Sequence, residues 1–204
     1  MTVISESLDG TRIAITGATG FLGTALVERF LRSVPGCELV LVVRPGKRTS
    51  SADRVKREIL RNDCFDRLRT ELGDRFDAEM DRRILVIDGD VSRDGMGLTD
   101  DGRSVLQSCH TVVHSAAAVA FDSPLDSAVE TNLLGPMRVA QAMRESGCAG
   151  HLVAVSTCYV AGARRGDAPE LPLPDTPFST EADWRAEVVA ARRMTAFLSG
   201  HQPE

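Results

Sequence analysis

The sequence predicts an α/β protein, a doubly wound parallel sheet with helices on both faces. Three observations predict it. Short runs rich in valine, leucine and isoleucine recur along the chain, as they do in strands buried on both sides. Polar segments with helical spacing separate those runs, and strands alternating with helices imply parallel pairing through crossovers. The 204 residues suit one domain, with enough apolar content to bury a core.

The elements follow in order. "RIAIT" (Arg12–Thr16) is a short buried strand bounded by glycine. From Phe21 to Leu31, the residues Phe21, Leu22, Ala25, Leu26 and Phe30 recur at helical spacing. "CELVLVV" (Cys37–Val43) is the second strand, "RILVID" (Arg83–Asp88) the third, "TVVHSA" (Thr111–Ala116) the fourth and "HLVAVS" (His151–Ser156) the fifth. Ala52–Met80, Asp100–Gln107 and Ser127–Ser146 are the polar or helical connections. Five strands wound in this way are expected in the order 3-2-1-4-5.

After Gly162 the composition changes. "ARRGDAPELPLPDTPF" carries most of the late prolines and excludes a regular element. "STEADWRAEVVAARRMTAFL" then resumes helical spacing, with Ser179 or Thr180 as the expected N-cap and acidic residues in the first turn. The expected division is therefore residues 1–162 as the sheet-bearing unit and 163–204 as a proline-rich loop and helix that begin a second, truncated region.

The bulk properties exclude several classes. A net charge of −5 argues against a nucleic-acid binder. No apolar run approaches the ~20 residues that cross a bilayer, and "MTVISESLDG" lacks the charged start and apolar core of a signal peptide. A cytoplasmic location is the expectation. Five cysteines without a C-x-x-C pair suggest neither a disulfide framework nor a zinc site, and no metal is expected. Cys158 is either a nucleophile beside a hydroxyl pair or a small buried residue at a strand end.

"TGATGFLG" (Thr16–Gly23) joins the first strand to the first helix, and its glycines Gly17, Gly20 and Gly23 have G-x-x-G-x-x-G spacing. Glycine is needed for a tight turn, for close approach of backbone to a pyrophosphate, and for close seating of the helix on the sheet. The helix start then offers N–H groups and partial positive charge to the anion. Thr16, Gly17, Thr19, Gly20, Phe21, Leu22 and Gly23 are the candidate contacts. A P-loop is excluded because Thr24 follows Gly23 where lysine would be required.

The second strand ends in "VVRPGKR". An NAD-binding domain places a carboxylate there against the ribose 2′-hydroxyl. Here stands Arg44, with Lys47 and Arg48 beyond, and a planar guanidinium can hold a 2′-phosphate through two hydrogen bonds. NADPH is the expected cofactor, although Lys47 and Arg48 fit a solvated loop equally well. In "DGDV", Asp90 and Val91 follow the third strand, where a carboxylate can accept from the adenine amino group. In "HSAAA", Ser115, Ala116 and Ala117 are small enough to let the cofactor pass. His114 is a candidate acid or base, or a histidine held beside the cofactor by backbone bonds.

These residues together resemble the extended short-chain dehydrogenase/reductase superfamily. More narrowly, the chain resembles the NADPH-binding half of fatty acyl-CoA reductases and related thioester reductases. The narrower likeness rests on "TGATGFLG" with "LVLVVRPGK", on the arginine-rich insert "RVKREILRNDCFDRLR", on "VVHSAAAVAFDSPLDSAVETNLLGP" and on "VSTCYVAG". The resemblance implies a Rossmann fold and a fatty acyl-CoA or acyl-carrier thioester as partner, reduced to aldehyde or alcohol.

It also implies roles. Thr157, with Ser156 as the adjacent alternative, would hold the carbonyl oxygen as negative charge develops. Tyr159, the single tyrosine, would pack beside the cofactor or shape the acyl channel. The superfamily's proton donor is the tyrosine of a Tyr-x-x-x-Lys pair; here position 163, four residues past Tyr159, is alanine, and no lysine follows Lys56. A fragment or truncated product, with the sheet incomplete on its C-terminal side, is therefore expected, or a protein that does not perform the reaction. Asn132 would help bind a relay water, and Pro136, lacking an N–H, would leave the Asn132 carbonyl free for it or simply kink the helix. Two other functions compete: a dinucleotide-binding module without catalysis, and a nucleotide-sugar epimerase or dehydrogenase, against which the long insert counts.

Overall fold

A computed structural model describes residues 3–120, 122–162 and 164–198. Ala163 and the end of the expected second segment, from Ser199 onward, lie outside the described residues.

Helix α1 (Val3–Leu8) precedes strand β1 (Arg12–Thr16), helix α2 (Phe21–Ser33) and strand β2 (Glu38–Val43). The insert follows as a set of short helical pieces rather than one helix. They are α3 (Ser51–Arg54) running into a π turn (Val55–Ile59), a 3₁₀ turn (Asp63–Phe65), α4 (Asp66–Leu72), another 3₁₀ turn (Gly73–Arg75) and α5 (Phe76–Arg83). Strand β3 (Ile84–Asp88), helix α6 (Asp100–Gln107) and strand β4 (Thr111–His114) complete the first crossover past the switch point. Helix α7 (Leu125–Ala128) continues through a π turn (Val129–Leu133) into α8 (Leu134–Ser146), and β5 (His151–Ala154) closes the sheet. Helix α9 (Trp184–Leu198) comes last.

All five strands are parallel, in the order β3-β2-β1-β4-β5. Alternation along the strands divides the core between two faces. Ile13, Ile15, Leu39, Leu41 and Val43 pack with α2 and the insert, where Phe65 meets Phe76 edge-on at 6.4 Å. Ala14, Val40, Val42 and Val112 face the opposite way, toward Leu106 of α6 and Val139 and Ala142 of α8. This is the sheet with helices on both faces that the apolar runs predict.

Several boundaries differ from expectation, each for a tertiary reason. Arg83 ends α5 instead of opening β3, because its buried guanidinium turns back to donate to Leu31 O (2.6 Å), Val34 O (2.6 Å) and Cys37 O (3.0 Å). It thereby takes up carbonyls at the end of α2 that have no helical donor. The fourth strand stops at His114, two residues early: Ser115 still donates to Thr16 O of β1 through its N–H (3.3 Å) and its hydroxyl (2.9 Å), and farther on the loop is held by Asn132 at Ala118. The last helix is not capped by Ser179 or Thr180. It begins at Trp184, and Asp183 Oδ1 accepts from the N–H groups of Arg185 (3.0 Å) and Ala186 (3.4 Å). An Asp reaches the first free N–H groups directly and adds negative charge at the helix start.

Candidate functional site

The carboxyl ends of β1, β2, β3 and β4 open into one cleft of about 280 Å³. It lies at the switch point, where β1 is flanked by β2 on one side and β4 on the other. Of the residues singled out from the sequence, Thr16, Gly17, Thr19, Gly20, Arg44, Asp90, Val91, Ser115, Ala116 and Ala117 line it.

The loop from β1 to α2 is shaped by glycine where a side chain would collide. Gly17 has φ +72°, and a Cβ there would fall 2.6 Å from Ala116 N. A Cβ on Gly23 would run into the Gly17 carbonyl, so α2 sits against the loop only because that position is bare. Gly20 donates to Gly17 O at 3.0 Å, and Thr24 Oγ1 donates to Ala18 O at 3.0 Å, which closes the turn on itself. The first-turn N–H groups of α2, on Phe21, Leu22 and Gly23, precede any intrahelical partner and are available to an anion. Phe21, Leu22 and Gly23 are not among the residues lining the cleft, and the Phe21 ring is 98% exposed.

The floor is polar and buried. Thr16 Oγ1 and His114 Nδ1 lie 2.7 Å apart, tying the ends of β1 and β4. Burial lowers the His114 pKa, so a neutral ring is favoured. His114 is thus held by a side-chain partner on β1, not by backbone bonds as one expectation had it, and it is not among the residues lining the cleft.

The far wall carries two guanidiniums, each beside a carboxylate. Arg44 stands at the tip of β2, 69% exposed, with Nη1 3.9 Å from Asp90 Oδ2. Asp90 turns its other oxygen to Ser92, accepting from the backbone N–H (2.9 Å) and the hydroxyl (2.7 Å). Arg54 of α3 reaches the same wall, donating to Arg44 O at 2.6 Å and to Glu58 Oε2 at 2.7 Å. The Glu58 carboxyl is lowered to about 2, chiefly by its hydrogen bond from Arg54 against the cost of burial. Lys47 and Arg48 are exposed on the loop beyond and do not line the cleft.

Sequence reasoning missed Ala18, Val42, Val43, Arg54, Gly89 and Thr131 as lining residues. For Arg54 a signal existed: Ser50 caps the helix by accepting from Asp53 N, and Arg54 and Glu58 have i,i+4 spacing. Gly89 is required because a Cβ would strike the Val42 side chain.

The expected catalytic residues stand apart. Ser156 and Thr157 are exposed beyond β5 and do not line the cleft, and Thr157 Oγ1 accepts from Tyr159 N at 3.1 Å. Tyr159 is 90% exposed and does not line the cleft. Cys158 is exposed too, so the buried strand-end alternative does not hold. Asn132 lies on the π turn and uses its side chain on backbone: Oδ1 accepts from Ala118 N (2.7 Å) and Nδ2 donates to Ala118 O (2.8 Å). Pro136 falls in the first turn of α8, just past that π turn. Among the described residues no group of three or more His, Cys, Asp or Glu side chains could hold a metal ion.

A glycine-shaped turn into a helix, at the switch point of a 3-2-1-4-5 parallel sheet, defines a nucleotide-binding domain of the Rossmann type. The chain belongs to the NAD-binding family described as "Male sterility protein", which matches residues 15–195. It is 32% identical over 170 residues to "Fatty acyl-CoA reductase 8" of Arabidopsis thaliana, covering 81% of this chain and 34% of that one. It is also 32% identical over 163 residues to "Fatty acyl-CoA reductase 1" of Rattus norvegicus, covering 78% and 30%. The chain therefore spans about a third of the length of these relatives. Among solved structures, the reductase domain of a non-ribosomal peptide synthetase from Mycobacterium tuberculosis aligns at TM-score 0.55 and 28% identity, over 75% of this chain and 34% of that one. The terminal R domain of the myxalamid pathway shares the fold at TM-score 0.64 and 23% identity, over 93% and 46%.

Proposed function

We propose that the chain is the NADPH-binding part of a reductase acting on fatty acyl thioesters. The observation that carries this is the pairing of a glycine-shaped anion cradle with Arg44 at the tip of β2, where an NAD-binding site would place a carboxylate, and with Arg54 of α3 beside it. The residues fit the dinucleotide: with no Cβ at Gly17 or Gly23, the loop closes against the Ala116 backbone and the start of α2 seats on the loop, which gives the cradle its shape. The N–H groups at the start of α2 would hold the pyrophosphate, and Arg44 and Arg54 the 2′-phosphate. Asp90 would accept from the adenine amino group, and Ser115, Ala116 and Ala117 would form the wall along which the cofactor runs. Family membership and the names of the relatives support the thioester as substrate.

When bound, NADPH would supply hydride to the thioester carbonyl. The part of this chain in that step is to orient the cofactor and to offer the Ser156 or Thr157 hydroxyl to the carbonyl oxygen. Thr157 Oγ1 accepts the Tyr159 N–H through a lone pair, which leaves its own O–H to donate. General-acid assistance is worth about 10²–10⁴ in rate, and no Tyr-x-x-x-Lys pair occurs in the sequence. NADPH binding with little turnover by these 204 residues is the expectation.

Calorimetric titration tests the assignment. NADPH is expected to bind at least tenfold more tightly than NADH, and Arg44→Ala to erase most of that difference. Equal affinity for the two cofactors would overturn the 2′-phosphate assignment, and binding of neither would overturn the reductase reading. A dinucleotide-binding module without catalysis is the second reading, favoured by the exposed, cleft-distant position of Ser156 and Thr157. Acyl-CoA reduction by the purified chain would exclude it.

A further inference from the structure

Glu130 sits on the π turn between α7 and α8, one residue before Thr131, which lines the cleft, and two before Asn132, which clamps Ala118. The π turn sends the Leu134 N–H to Val129 O, not to Glu130 O as an α-turn would. Arg138 supplies the substitute, donating to Glu130 O at 3.0 Å. The same guanidinium donates to Glu130 Oε2 at 2.7 Å and to Asp94 Oδ1 at 3.0 Å, and its side chain is only 11% exposed. The remaining carboxylate oxygen, Oε1, accepts from Arg192 Nε of α9 at 2.6 Å. One carboxylate thus joins the irregular turn beside the cleft to the loop after β3 and to the C-terminal helix, 62 residues away.

We propose that Glu130 is a positioning residue through which docking of α9 sets the wall of the nucleotide cleft: Arg192 and Arg138 hold the π turn, the turn aims Asn132, and Asn132 fixes Ala118 at the end of the Ala116–Ala118 segment. The chain of contacts is continuous: each link is a hydrogen bond except that from Glu130 to Asn132, which is two residues of the same π turn. Asn132 bonds both the N–H and the C=O of Ala118, as a neighbouring strand would, so a shift of the turn moves that backbone directly. Val188 and Ala191 are buried on α9, which packs against α7. Apolar contact holds the helix in place, and the Arg192 charge selects where its polar face meets the turn. The consequence for binding rests on the cleft being the cofactor site.

The test uses Arg192→Ala in the full chain, since Arg192 is half exposed and its loss leaves the core intact. Exchange of the Ala118 amide, followed by NMR, is expected to speed up roughly two- to fivefold, the scale of one exposed ion pair. NADPH affinity is expected to weaken by the same factor, β1 amides to stay as protected as before, and Arg192→Lys to restore both. Unchanged Ala118 exchange, or faster exchange without a change in affinity, would overturn the proposal. So would faster exchange throughout β1, the mark of a merely structural loss. If the parent chain takes no NADPH, the cofactor assignment falls by itself, and Ala118 exchange still decides whether α9 reaches the loop.

Discussion

His114 and Thr16 form a single buried pair behind the cleft, of which only Thr16 lines it. The imidazole is 2% exposed and Thr16 is its hydrogen-bond partner, so protonation must place a charge where no carboxylate is bonded to it. Burial lowers the pKa of His114 from its ordinary value near 6.5. Above that value both the folded and the unfolded chain carry a neutral ring, and the group leaves stability unchanged with pH. Below it the unfolded chain binds the proton first, so stability is lost as pH falls. The urea midpoint is therefore expected to drop between pH 7.5 and pH 5.5, and His114→Gln, less stable throughout, to lose that slope. A slope kept in the variant would assign the loss to another group. The Arg54–Glu58 pair behaves differently. With the Glu58 carboxyl near 2, its charge persists through this window, and so does the placement of Arg54 beside Arg44.

At the scale of elements, the ends matter more than the middles. Helix α2 begins where glycine bares its N–H groups and finishes where Arg83 collects its last carbonyls. Arg83 also lies 3.2 Å from the buried Cys37 sulfur, whose pKa is raised by burial and partly offset by the guanidinium. Replacing Arg83 with Met fills similar space but leaves buried carbonyls without donors. A loss of about 3 kcal/mol is expected in urea denaturation, with NADPH binding kept under native conditions because the cleft is at the opposite end of the strands. Loss of binding in step with stability would instead couple the two ends of α2. The π turns belong to the same scale. One follows α3, which carries Arg54, and the other carries Thr131 and Asn132, so both irregular turns stand beside the cleft.

For the whole molecule, the sheet gathers its function at one edge. Four of the five strands contribute their carboxyl ends to the cleft, while β5 bonds only to β4 among the described residues and leaves Val153 41% and Val155 44% exposed. A ligand that binds only the folded sheet stabilises it by mass action, about 2.7 kcal/mol at a concentration 100 times its Kd. For a chain of this size that raises Tm by about 5–10 °C. NADPH is expected to produce such a shift, and NADH at the same concentration a markedly smaller one, as read by differential scanning calorimetry. Identical shifts would remove the argument from Arg44 and Arg54.

What the sequence alone determined here is whatever depends on neighbours in the chain. Apolar runs marked the five strands, glycine spacing marked the cradle, and Arg44 at the end of "LVLVV" marked one side of the cleft. Each is a local signal, because strand period, turn geometry and helix start are decided within a few residues. Only the tertiary structure decided what depends on residues distant in sequence. It brought Arg54 onto the Arg44 carbonyl, buried Arg83 under α2, turned Asn132 onto Ala118 and joined Arg192 to Glu130. It also left Thr157 and Tyr159 on the surface. The physical reason is that a side-chain hydrogen bond has a reach of about 3 Å, and only the packed fold places two such groups within it.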